Sequence, residues 1–167
     1  MHYSLEFGER LIDAADSLAT EKNTSDEVGR AVLYLSLLSC EISLKALLEK
    51  AGFSVKELKS LSHNLSGLAK KICLCELKDT GIGCSKNYSA SRLLSKEVII
   101  NTSNGTVGTL LNAENDGASK YPNEIRYGEL IRHFQPLEML ACAKVVSVWA
   151  KENINYINFD HDVHPTR

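Results

Sequence analysis

The chain has 167 residues, 44% of them hydrophobic and 24% charged, with a formal charge of -2 near neutral pH. That length suits one domain with a self-sufficient core and leaves too little for two ordinary ones. The composition is that of an ordinary globular domain, and the near-balanced charge excludes a blanket attraction for nucleic acid, so any RNA contact has to come from a local patch.

The first residues, Met1-His2-Tyr3-Ser4-Leu5-Glu6, carry no basic segment leading into an apolar stretch, which predicts a protein without a secretory signal. Apolar residues at 5, 7, 11, 12, 15 and 18 then recur near helical spacing with charges between them, predicting an amphipathic helix over Leu5–Ala19. Thr24 and Glu27 stand at the separation of a reciprocal cap, so a second helix is expected to start there. It should run to about Lys50 and stop at Gly52, where a left-handed residue is wanted. Its apolar run over residues 31–48 is interrupted by Ser36, Ser39, Glu41, Ser43 and Lys45, which argues against a membrane span and for a buried central helix with a polar stripe. The chain therefore reads as soluble and cytoplasmic.

Ser54 and Glu57 repeat the capping separation and open a short helix ending near Leu61. A third main helix is expected over residues 64–77, with Leu65, Leu68, Ala69, Ile72 and Cys73 inward. From 78 to 123 the pattern weakens among glycines, apart from a β-branched run at Val98-Ile99-Ile100 and a possible local helix around residues 91–96. So long a connection inside a compact domain suggests a functional insertion or a partly mobile loop. Gln135-Pro136-Leu137-Glu138 restarts helix, with Leu137, Leu140, Ala141, Val145, Val148 and Trp149 expected inward up to about Asn153. The expected fold is all-α: a four-helix up-down bundle in one domain, residues 1–154, with an insertion at 78–123 before the last helix and a tail at 155–167.

Two clusters invite chemistry. Glu41 and Lys45 are four apart with the carboxylate first, so they share a helix face in the favourable orientation. The plain reading is an ion pair carrying polar atoms near the core; the functional one is a ligand-binding site of Glu41, Lys45 and His63. Cys73, Cys75 and Cys84 would give a metal three thiolates without a fourth ligand, and neighbouring helical side chains at 73 and 75 diverge. His161 and His164 form a candidate tail chelate in a segment expected to be solvated. No metal or cofactor is expected. The five cysteines, an odd number in a chain read as cytoplasmic, do not suggest a disulfide framework.

Three segments in order resemble the HEPN ("higher eukaryotes and prokaryotes nucleotide-binding") family of helical bundles. They are Leu38-Ser39-Cys40-Glu41-Ile42-Ser43-Leu44-Lys45-Ala46-Leu47-Leu48, then His63-Asn64-Leu65, then Tyr121-Pro122-Asn123-Glu124-Ile125-Arg126-Tyr127. The resemblance covers roughly residues 5–153. It implies a place in bacterial conflict systems such as toxin and antitoxin pairs, immunity or phage defence, with a protein or RNA partner.

It also implies, as an alternative, metal-independent RNA cleavage by a homodimer. Arg126 and His133 have six residues between them, matching the family's Arg-to-His spacing. The imidazole would take the proton of a ribose 2′-hydroxyl and the guanidinium would hold the scissile phosphate. Tyr127 stands where a small polar residue is common, Gly128 weakens helix, and Pro136 starts the predicted helix after His133. Binding rather than catalysis is therefore the favoured expectation, with Lys120, Arg126, Arg132 and His133 as a basic cluster before the last helix. A small-ligand or nucleotide binder using Glu41, Lys45 and His63 is the third reading.

Overall fold

The computed structural model describes residues 1–20, 25–78, 87–100, 103–113, 122, 125 and 135–159. Among them the chain is mostly helical, with six α-helices and two small antiparallel sheets. The core is organised around the second helix.

Helix α1, Leu5–Ala19, is capped by the Ser4 hydroxyl, which accepts from the Phe7 amide. It buries Gly8, Leu11, Ile12 and Ala15, while Phe7 faces outward. Helix α2, Asp26–Ala51, starts one residue later than Thr24 would place it: Ser25 is the cap and accepts from the Val28 amide. Thr24 lies outside the described residues, and Glu27, its expected partner, instead pairs with Arg30. Asp26 and Glu27 in the first turn and Lys50 in the last complement the helix dipole. Gly52 closes the helix at φ 113°, a conformation that strains any side-chain-bearing residue.

The second half of α2 is buried on nearly every side, from Ser39 through Leu48 with Ile42 partly covered. Helix α3, Val55–Ser60, carries the full reciprocal cap of Ser54 and Glu57. Helix α4, Leu65–Ile72, is capped by Asn64, and α6, Pro136–Asn153, packs along both α1 and α2. Helix α2 is long and apolar enough to cross a membrane, yet most of that stretch is covered by these neighbours.

Where α1 crosses α2 the backbones come close. The Ser39 hydroxyl donates to the Gly8 carbonyl at 2.8 Å, and a Cβ added at Gly8 would lie 3.1 Å from the Ser43 Oγ. That Ser43 hydroxyl is buried and has no hydrogen-bond partner among the described residues. Removing it by Ser43→Ala deletes an unsatisfied polar atom and installs the best helix former, so a gain of about 1 kcal/mol is expected. In thermal unfolding this raises the Tm by about 2–4 °C for a chain of this size. A lowered Tm would mean that the hydroxyl is bonded in solution.

The third helix is shorter than its sequence pattern. It ends at Ile72, and strand β1, Cys75–Lys78, follows with Cys75 and Leu77 buried. Cys73, expected inward, is the exposed cap residue. β1 sits between β2, Asn87–Ser89, and β5, Ile157–Phe159, both antiparallel to it, with Leu77 opposite Tyr88 and Ile157. The start of the expected tail thus joins the folded unit, and Phe159 packs on Phe53 with ring centroids 4.7 Å apart.

The described part of the insertion is ordered as well. A 3-10 turn, Ala90–Leu93, leads to a hairpin of β3, Glu97–Ile100, and β4, Ser103–Thr106, which runs into α5, Val107–Ala113. Ala90, Leu93, Val98, Val107 and Leu111 join the core. In α6 the inward stripe is Met139, Leu140, Cys142, Ala143, Val146, Trp149 and Ala150, leaving Leu137 and Val148 more than half exposed and Ala141 and Val145 half-buried. The helix is apolar around much of its circumference, so periodicity alone fits more than one phase.

Candidate functional site

Glu41 and Lys45 project from the middle of α2 because an i, i+4 pair lies on one helix face. The Lys45 Nζ donates to Glu41 Oε1 at 2.7 Å, and the other carboxylate oxygen, Oε2, meets His63 Nδ1 at 2.8 Å. Side-chain exposure is 6% for Lys45 and 7% for Glu41, but 41% for His63, so the group reaches from the core to the surface. His63 arrives there because the turn between α3 and α4 runs back over α2. Within that turn Ser62 adopts φ 48°, a left-handed conformation costly for serine. Its carbonyl accepts a second bond from Lys45 Nζ at 2.7 Å. The three residues singled out in the sequence are therefore brought together, with a strained turn supplying a further acceptor.

Two more groups complete the surroundings, and neither carried a sequence signal. The Tyr3 ring lies 5.5 Å from Lys45 Nζ, within cation–π range. Burial, together with the Glu41 and Glu49 carboxylates, pushes the Tyr3 phenol upward from its ordinary value. Tyr3 is held by the Glu49 carboxylate, which accepts from the Tyr3 amide at 2.9 Å and from the His2 amide at 2.6 and 2.8 Å. Burial works to raise the Glu49 pKa, but these amides prevail and the carboxyl is held below its usual range.

Arg126 and His133 lie outside the described residues, as do Lys120, Arg132, Cys84 and the tail histidines. Ile125, immediately before Arg126, is buried against the domain. The Arg30 guanidinium fixes its carbonyl through Nη2 while Nη1 holds Glu27 at 2.9 and 3.0 Å. Arg30 thus ties Ile125 to α2, a role its place in an amphipathic helix start does not advertise. Among the described residues no group of three or more potential ligands could hold a metal ion. Burial pushes the Cys75 thiol up to about 12, which disfavours the thiolate a metal would need.

Comparison of the chain with family models, curated proteins and solved structures finds no significant match.

Proposed function

We propose that this chain is a HEPN-like four-helix up-down bundle, built by α1, α2, α4 and α6, that acts by binding a protein or RNA partner rather than by catalysis. Its setting in this reading is a bacterial conflict system, as a cytoplasmic antitoxin or immunity-type protein. The observation that supports a partner at the surface over a small ligand inside the bundle is the closed circuit of Glu41, Lys45, His63 and the Ser62 carbonyl. Its strong donors and acceptors already satisfy one another, so a ligand entering the bundle would have to displace bonds of 2.7 to 2.8 Å in a buried setting. Partners are met more cheaply at the surface, where the insertion presents the β3–β4 hairpin and its exposed Ile99.

The test is co-expression of the tagged chain with the products of neighbouring genes, followed by purification and determination of stoichiometry. A stable complex of defined stoichiometry is expected. In parallel, wild type and His133→Ala are expressed in a bacterial host and total RNA is examined, with intact RNA and normal growth expected for both. Growth arrest and RNA fragmentation confined to the wild type would overturn the binding reading in favour of a ribonuclease using Arg126 and His133.

A further inference from the structure

Residues 1–4 lie against α2 without belonging to any helix or strand. Met1 is 70% exposed and His2 and Ser4 are exposed as well, while Tyr3 turns inward and packs against the core. Two ties hold the segment there. The Glu49 carboxylate accepts from the His2 amide at 2.6 and 2.8 Å and from the Tyr3 amide at 2.9 Å, and the Tyr3 ring sits 5.5 Å from the Lys45 Nζ. Both ties reach one helix face, since Lys45 and Glu49 stand four residues apart on α2. Helix α1 does not depend on them. Its first turn is closed by Ser4, whose hydroxyl accepts from the Phe7 amide and whose carbonyl accepts from the Gly8 amide at 3.2 Å, so residues 1–3 can lift away with the helix start intact.

The place of the ring has a chemical reason. An ammonium carries three N–H donors. At Lys45 Nζ one goes to Glu41 Oε1 and one to the Ser62 carbonyl, each at 2.7 Å, and among the described residues no further oxygen or nitrogen accepts the third. The π face of Tyr3 serves as the remaining partner and takes the room that water would otherwise fill, which fits the 6% exposure of the Lys45 side chain. The ties are also of a kind that opens locally. Charge-assisted bonds from main-chain amides hold residues 2 and 3 firmly, yet of this segment only the Tyr3 ring packs on the core, so lifting it leaves the packing of α1, α2 and α6 in place.

We propose that residues 1–4 form a strap that opens on Ser4 as a unit and controls the access of water and solutes to Lys45, with Glu49 as its latch and the Tyr3 ring as its plug. Opening turns one Lys45 donor toward solvent while Glu41 and the Ser62 carbonyl keep their bonds, so the buried pair becomes reachable without unfolding α2. The strap is independent of which partner the surface meets. It is tested by nuclear magnetic resonance on the isotope-labelled full chain, following the exchange with water of the Lys45 ammonium hydrogens, of the Tyr3 amide, and of the Leu44 and Leu47 amides within α2. In wild type the Lys45 hydrogens are expected to exchange slowly enough to give a signal of their own, unlike those of the exposed Lys50. Tyr3→Ala, which removes the plug and keeps the latch, should speed exchange at Lys45 about tenfold while the amide at position 3 stays protected. Tyr3→Phe, which keeps the ring, should match wild type. Glu49→Gln, which removes the charge and one acceptor, should speed exchange about tenfold at both Lys45 and the Tyr3 amide. The Leu44 and Leu47 amides should exchange as in wild type in every variant. Lys45 exchanging as fast as Lys50 in wild type, or unchanged in Tyr3→Ala and Glu49→Gln, would overturn the strap. Equal acceleration at Lys45 and at the Leu44 and Leu47 amides would overturn it too, since the variants would then loosen the whole domain rather than one segment.

Discussion

Glu41→Ala is expected to lower the unfolding free energy by about 3–5 kcal/mol, because it leaves the Lys45 ammonium buried with no countercharge. In this chain that corresponds to a Tm about 6–20 °C lower. The geometry also ranks the two partners. Glu41 holds both Lys45 and His63, so its removal strands one charge and unties the turn that carries the other contact. Lys45→Met strands only the carboxylate, which keeps His63 at the edge of solvent, and should cost less. A Glu41→Leu and Lys45→Met double variant removes both charges and should recover much of the loss. Its recovery is limited by the Ser62 carbonyl, which loses its donor. Urea unfolding of the three variants measures the order. A loss under about 1 kcal/mol for Glu41→Ala would mean that water reaches Lys45 and that the pair is not closed.

The parts of this fold that are legible in the sequence are those fixed by local backbone chemistry. Gly52, the reciprocal pair Ser54 and Glu57, and Pro136 each mark a helix boundary within a few residues of where it falls, because free amides and carbonyls at helix ends are satisfied locally. The strands are not legible, since a run such as Cys75–Lys78 is too short to display a period, and its partner β5 lies some 80 residues further along the chain. The 72–77 stretch carries enough apolar residues to continue a helix, and only pairing with Tyr88 and Ile157 settles it as a strand. The candidate site divides in the same way. Glu41 and Lys45 follow from helical spacing, whereas the Ser62 carbonyl and the Tyr3 ring depend on turns and contacts that bring distant segments together. Helix α5 is hidden in the sequence for a further reason: Gly108, Thr109 and Asn112 are poor helix formers, so the helix is held by the burial of Val107 and Leu111 rather than by propensity.

Gly108→Ala tests that account of α5, because two physical effects oppose each other at one position. In an open helix the substitution gains about 1 kcal/mol through backbone entropy. Here the Gly108 amide donates to the Leu94 carbonyl at 2.9 Å, and the Val107 amide donates to the Lys96 carbonyl at 2.9 Å. The connection between the 3-10 turn and β3 thereby satisfies the first free amides of α5. That arrangement needs the backbone of Leu94 pressed against Gly108: an added Cβ would lie 2.9 Å from the Leu94 oxygen and 3.1 Å from its Cβ. The obstacle is main chain, which cannot rotate aside as a long side chain can. Separating the two segments weakens both bonds and draws Val107 and Leu111 away from the core, so a net loss of about 1–3 kcal/mol is expected despite the propensity gain. Hydrogen exchange should quicken at the Val107 and Gly108 amide positions more than in α1 or α2, since the strain is confined to this corner. If the alanine variant were instead more stable by about 1 kcal/mol, the close contact would be absent in solution and α5 would stand as an ordinary open helix.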